Sequence, residues 1–205
     1  NFWHTMGMVS SAPIAATPMA FVQAIVAAYV RAGRDPSAAL AQAQIAPAQL
    51  QQADARITAW QMERISELAM RELDDEALGW FRRRLPWGSY GMLARASLSA
   101  PTLALAIKRW CRHHGLIAED ITLTLQTSGS TASIGIAEHR DLGALREFCL
   151  VSVLRNILGL ACWLVDSRIP LLQAQFPFDA PPHAEAYSVL FSGPTRFGQA
   201  QACLL

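Results

Sequence analysis

Arg155 and Asn156 stand together in the middle of the most apolar stretch of the chain, Leu142 to Val165. An unpaired guanidinium is costly to bury, so Arg155 must reach water or meet an anion. A ligand carboxylate would serve and so would an internal acid, while the long stem can also carry the charge to the surface. Five aromatic residues, Trp87, Tyr90, Trp110, Phe148 and Trp163, are of the kind that lines a lipophilic pocket, and equally of the kind that fills an ordinary core. The candidate ligand-binding residues are Arg155, Asn156, Trp110, Phe148, Trp163 and Tyr90.

Cys111, His113 and His114 are metal ligands by type, but residues this close at a helix end diverge and cannot enclose an ion alone. Histidines at a helix C-terminus, where the partial negative charge favours cations, are the plainer account. Glu138-His139-Arg140-Asp141 reads as a charged turn. A catalytic pair drawn from it would need a nucleophile, and Cys149 lies on an apolar stretch that argues for inert packing. The chain carries no recognisable nucleophile motif or phosphate loop, so no catalytic residue, metal or cofactor is expected and the chain is not read as an enzyme. The densest basic run, Arg82-Arg83-Arg84, reads as a solvated helix face rather than a phosphate clamp.

The elements that must hold these residues follow from periodicity and punctuation. Thr17-Pro18 is a helix start, with Val22, Ile25, Val26, Tyr29 and Val30 at helical spacing and Gly33 as the stop. Asp35-Pro36 repeats the start signal for a short helix through Leu40. A turn near Ile45-Ala46-Pro47 leads to another around Leu50, and Thr58 opens a longer helix with Met62, Ile65, Ala69 and Leu73 on its inner stripe. A short helix is expected around Trp80 and Phe81, then a loop or bent connection over Pro86 to Gly91. A helix from Ser99-Ala100-Pro101-Thr102 presents Leu103, Ile107 and Trp110 and ends at His113-His114-Gly115. Alternation at Ile121, Leu123, Leu125 and at Ala132, Ile134, Ile136 marks two strands joined through Ser128-Gly129-Ser130. The long apolar helix begins near Leu142. Leu172, Ala174, Phe176 and Phe178 suggest a third strand, residues 184–190 a short helix, and residues 199–205 a last strand. The expected class is α+β: an N-terminal helical bundle packed on a small, mostly antiparallel sheet, with a long buried helix between strands.

A chain of 205 residues can bury a substantial core, and 52% hydrophobic against 16% charged residues is poorer in charge than the about 25% usual for soluble domains. A partner subunit, the rest of a longer chain or an internal pocket would each account for the deficit. The net charge of +1 leaves no broad attraction for phosphate, and the alanine- and glutamine-rich short helices lack the basic side chains of a recognition helix, so this chain is not expected to touch nucleic acid directly. Four scattered cysteines without CxxC pairing fit a reducing cytoplasm. Arg146, Glu147 and Arg155 interrupt the longest apolar segment, so no membrane span is expected. Residues 1–16 read as a disordered or vector-derived N-terminus and 17–205 as one regulatory domain, helical over about 17–115 and α+β over about 116–205.

Three stretches together resemble the N-terminal effector domain, of arabinose-binding type, of AraC/XylS transcription regulators. They are Tyr90-Gly91-Met92-Leu93 running on to Ser97-Leu98-Ser99-Ala100-Pro101-Thr102-Leu103, the strand, hairpin, strand and apolar helix from Ile121 to Val165, and Tyr187, Leu190, Phe191 with Pro194-Thr195-Arg196-Phe197-Gly198. The resemblance implies a ligand-sensing and dimerisation domain, with a small organic effector of unknown identity and promoter DNA bound by a helix-turn-helix domain expected after residue 205. It also implies a homodimer. Nothing in the residues points to a sugar. Two other readings stay open: a dimerisation module without an effector, and a small-molecule enzyme.

Overall fold

A computed structural model describes residues 15–52 and 54–205. Residues 1–14 of the expected disordered N-terminus lie outside the described residues, but Ala15 and Ala16 do not fit that reading. They open strand β1 (Ala15–Pro18), which pairs antiparallel with β2 (Arg56–Thr58). Thr17 therefore belongs to a strand and does not cap helix α1 (Met19–Arg31). The strand pairing replaces the cap: the Met19 amide donates to the Ala55 carbonyl at 3.1 Å. Met19, Phe21, Val22, Ile25, Ala28 and Tyr29 form the buried stripe of α1, and Val30 falls outside it.

Asp35 starts α2 (Ser37–Gln42) by accepting the Ser37 amide at 3.0 Å, and Pro47–Gln51 form a 3-10 turn. Helix α3 (Ala59–Glu72) begins with reciprocal capping, Gln61 N–H to Thr58 Oγ1 at 3.2 Å and Thr58 N–H to Gln61 Oε1 at 3.0 Å. It packs on α1 through Ile65 and Ala69, and Tyr29 Oη donates to Glu72 at 2.9 Å across the pair.

The short helix expected around Trp80 and Phe81 is replaced by a chain of turns. Leu78 and Gly79 adopt positive φ of 49° and 82°, outside helical geometry. The buried Asp75 carboxylate imposes this path by accepting the amides of Ala77 (3.0 Å), Gly79 (2.8 Å) and Leu85 (3.0 Å). Arg82, Arg83 and Arg84 are exposed as expected, but on this bend and not on a helix. The expected loop over Pro86 to Gly91 also ends early, because α4 (Ser89–Leu98) starts inside it. Gly88, at φ 98°, makes the turn, and the two oxygens of Glu76 take the amides of Gly88 (2.9 Å) and Tyr90 (2.7 Å). A carboxylate more than three turns upstream in sequence thus caps α4, which is why no local signal announced it.

Helix α5 (Leu103–Ile117), capped by Thr102, runs two residues past the expected stop and packs on α4 and on the first strand of the main sheet. That sheet has five strands, β3 (Ile121–Ser128), β4 (Thr131–Glu138), β5 (Ala174–Gln175), β6 (Thr195–Arg196) and β7 (Ala202–Leu204), in the order β3-β4-β7-β5-β6. All pairs are antiparallel except β5 with β6. Ile121 and Leu123 point inward from β3 while Thr122 and Thr124 face out, as their alternation requires. Only Ala174–Gln175 of the alternating run 172–178 pairs as strand, and β6 was not expected at all. Gly193, before β6, passes the Leu171 carbonyl so closely that a Cβ would stand 2.4 Å from its oxygen.

Helix α6 (Arg146–Leu164) follows a 3-10 turn and lies in the core between β4 and β5 in sequence, and α7 (Tyr187–Leu190) packs near its start. The stretch Gly143–Leu164 has a mean hydropathy of 1.5 and the length to cross a membrane, yet more than half of it is buried inside the fold, as befits a core helix. The architecture is α+β, a helical bundle on a small, mostly antiparallel sheet. One hydrophobic cluster runs through it from Met19 to Leu204.

Candidate functional site

The aromatic residues assemble into a file of rings through the core. Trp110 stacks on Tyr90 (centroids 5.9 Å apart, planes at 19°), Tyr90 lies 6.0 Å from His114, and His114 meets Phe81 edge-on at 5.9 Å. Phe81 continues to Trp80 at 6.2 Å, Trp80 to Phe148 at 5.2 Å, and Phe148 to Phe21 at 5.3 Å. The structure thus brings Tyr90 and Trp110 together and sets Phe148 further along the same file. It places Trp163 elsewhere, 47% exposed near the end of α6. Arg155 is exposed and donates from Nη1 to the carbonyl of Leu190, the last residue of α7. Asn156 is buried, about two turns along α6 from Cys149.

His114 corrects the expectation of a helix-end cation. It is 0% exposed, and neither ring nitrogen has a hydrogen-bond partner among the described residues. Spacing carried the signal: Ile107, Trp110, Cys111 and His114 share one buried face of α5. Burial pushes the imidazole pKa down to about 4, so the ring is neutral near pH 7. The unfolded chain accepts a proton near pH 6.5 that the folded chain refuses until about pH 4. This stability is complete above about pH 6.5 and is lost as pH falls towards 4, a difference of about 3 kcal/mol. Denaturant midpoints at pH 7 and pH 4 will show a smaller acid loss in His114→Phe than in the parent chain. Equal losses would mean that the ring is not held neutral.

Tyr90 and Trp110 share the anomaly, for Tyr90 Oη and Trp110 Nε1 are buried without a partner among the described residues. Burial, then Cys149 and Glu76, holds the Tyr90 phenol well above its ordinary range. Burial also pushes the Cys111 thiol up to about 11 and that of Cys149 higher still, which makes both poor nucleophiles. Among the described residues no group of three or more His, Cys, Asp or Glu side chains converges as a metal site would require.

Other charged groups resolve into structural pairs. Asp120, buried, accepts the Arg82 amide at 3.0 Å and ion-pairs with Arg140 at 2.6 Å, and Arg140 also donates to the Trp80 carbonyl. Arg146 grips Glu138 with two bonds of 2.8 Å, and His139 meets Thr122 at 2.6 Å. Glu147, noted in the sequence only as a charge on an apolar helix, accepts the Tyr187 hydroxyl and faces His183 Nε2, each at 2.7 Å. Two shallow concavities are formed by described residues. One of about 120 Å³ lies beside Arg31, Leu73, Asp75 and Gly79, and one of about 220 Å³ beside Arg82, Arg83, Leu116 and Asp120. Both fall below the roughly 300 Å³ at which small-molecule pockets begin.

Set beside known proteins, this α+β body with a polar-centred aromatic core falls in the class of regulatory domains. Residues 33–205 match the family described as the arabinose-binding domain of AraC transcription regulators, N-terminal, and the chain belongs to that family as a ligand-sensing regulatory domain. A curated relative, the ornithine utilization regulator of Pseudomonas aeruginosa, is 24% identical over 183 residues, which cover 89% of this chain and 54% of the relative. The chain thus spans about half the length of the curated relative it matches.

Proposed function

We propose that this chain is the sensing half of a longer, cytoplasmic AraC-type regulator. It binds a small organic effector, pairs with a second copy, and sets how a C-terminal helix-turn-helix part meets promoter DNA. The family match over residues 33–205 carries this reading, supported by a longer relative of which the matched stretch covers 54%. The relative's name ties that protein to ornithine utilization. For this chain a small amino acid is one effector class to test, beside aromatic and sugar compounds. Large apolar side chains exposed on α4 and α5, among them Met92, Leu98 and Leu116, support a face covered by a second subunit. An effector acts by binding two conformations unequally.

The test is a promoter reporter driven by the complete regulator, coupled to melting of this chain with the same compounds. A compound that changes transcription and raises the melting temperature supports the reading, since a ligand selective for the folded state stabilises it by mass action. Transcription that depends on the regulator but ignores every compound would move the reading to an effector-independent dimerisation module.

A further inference from the structure

We propose that Tyr90, Trp110 and His114 form a binding site for a small, uncharged aromatic molecule carrying a hydrogen-bonding group. The proposal rests on the sensor reading and names the site and the ligand class. Three adjacent side chains bury four polar atoms without a partner among the described residues: Tyr90 Oη, Trp110 Nε1, and both ring nitrogens of His114. Native cores leave few such atoms, and those they leave call for an explanation. Here the side chains that carry them are adjacent, because the Tyr90 ring lies within 6.0 Å of both other rings.

The chemistry of the cluster selects the ligand. Trp110 offers a donor, Tyr90 a hydroxyl that donates or accepts, and a neutral imidazole one of each. Among the described residues, the two acids that act on Tyr90 are already engaged. Glu76, the acid beside Tyr90, already binds the Gly88 and Tyr90 amides, and Asp75 binds three others. An ionised ligand would lose its hydration and find no counter-charge. The walls are aromatic faces and edges, from Tyr90, Trp110 and Phe81, which favour a flat guest. Tyr90 and Trp110 stand too close for a third ring to enter between them, so binding must part α4 from α5. Displacing α4 also moves Met92 and Leu98 on its outer face, which gives occupancy a route to the surface.

Tyr90→Phe removes the unpartnered oxygen of the cluster and keeps the ring. It is expected to raise the melting temperature of the unliganded chain by about 2–4 °C, because a buried group without a partner has been removed. Indole, phenol, benzamide and benzyl alcohol at millimolar concentration form the probe set, with benzoate and benzylammonium as charged controls. At least one neutral probe is expected to shift the Trp110 indole N–H resonance, assigned through Trp110→Phe. Its dissociation constant should weaken about fivefold or more in Tyr90→Phe, and the charged controls should bind less well. Three results would overturn the proposal: a lower melting temperature for Tyr90→Phe, as when an internal water holds the hydroxyl; an indole resonance indifferent to all four neutral probes; or tighter binding of a charged control. If the complete regulator carrying Tyr90→Phe and His114→Phe still answers its effector in the reporter assay, the sensor reading stands and this site falls.

Discussion

Asp75→Ala will lower the stability of the chain by about 4 kcal/mol, a fall in melting temperature of about 8–16 °C. The reason lies in the amides of Ala77, Gly79 and Leu85, which all donate to this one buried carboxylate. Alanine leaves three donors inside the protein with nothing to bind, and the turns they hold carry Trp80 and Phe81 into the core. Leu78 adds to the effect, since its positive φ persists only while the surrounding bonds enforce it. Asp75→Asn separates charge from geometry. Its remaining oxygen can serve Ala77 and Leu85 while its amide group confronts the Gly79 N–H, so a loss of about 1–2 kcal/mol is expected. Denaturant unfolding of the two variants measures both, and a loss below about 1 kcal/mol for alanine would refute the role assigned to the carboxylate.

Phe148→Ala is expected to cost about 3–5 kcal/mol, the usual penalty for emptying an aromatic site in a packed core. Phe148 sits on α6 between Phe21 of α1 and Trp80 of the central turns, so its ring joins the N-terminal helices to the element that backs the sheet. Phe148→Leu should cost less, about 1.5 kcal/mol, because it restores part of the volume. Calorimetry adds a second readout. If one core serves the whole chain, the parent melts in a single transition whose calorimetric and van't Hoff enthalpies agree, while two separate transitions would show that the helical and sheet-bearing parts fold apart.

The parts of this fold that were legible in the sequence are those whose cause is local. The Thr58 and Gln61 cap, the stripe of α1 and the inward Ile121 and Leu123 each depend on residues a few positions apart. Where expectation failed, the cause was a distant partner. Glu76 starts α4 from far upstream, Ala55 satisfies the head of α1, and Asp75 bends a segment whose composition suggests a helix. The candidate site divides in the same way. Tyr90, Trp110 and Phe148 were picked out as aromatic, but their order in the file of rings is tertiary. Arg155 was picked out because burying its charge is costly, and the fold leaves the residue open at the surface with its guanidinium donating to the Leu190 carbonyl, although surrounding protein still desolvates the group and lowers its pKa. His114 was read as a helix-end histidine because charge near a helix end outweighed its place on an apolar face.

The distribution of tryptophan makes the core optically addressable. Trp80 and Trp110 are almost completely shielded, whereas Trp60, Trp87 and Trp163 meet solvent. Indole emission moves to longer wavelength in water, and collisional quenchers reach only accessible rings. Among the described tryptophans, acrylamide will therefore extinguish the red-shifted component first and leave a blue emission from Trp80 and Trp110, the second stacked on Tyr90 and the first edge-on to Phe148. Any event that parts α4 from α5 becomes a change in colour and quenching of that residual light, without a label or a substitution.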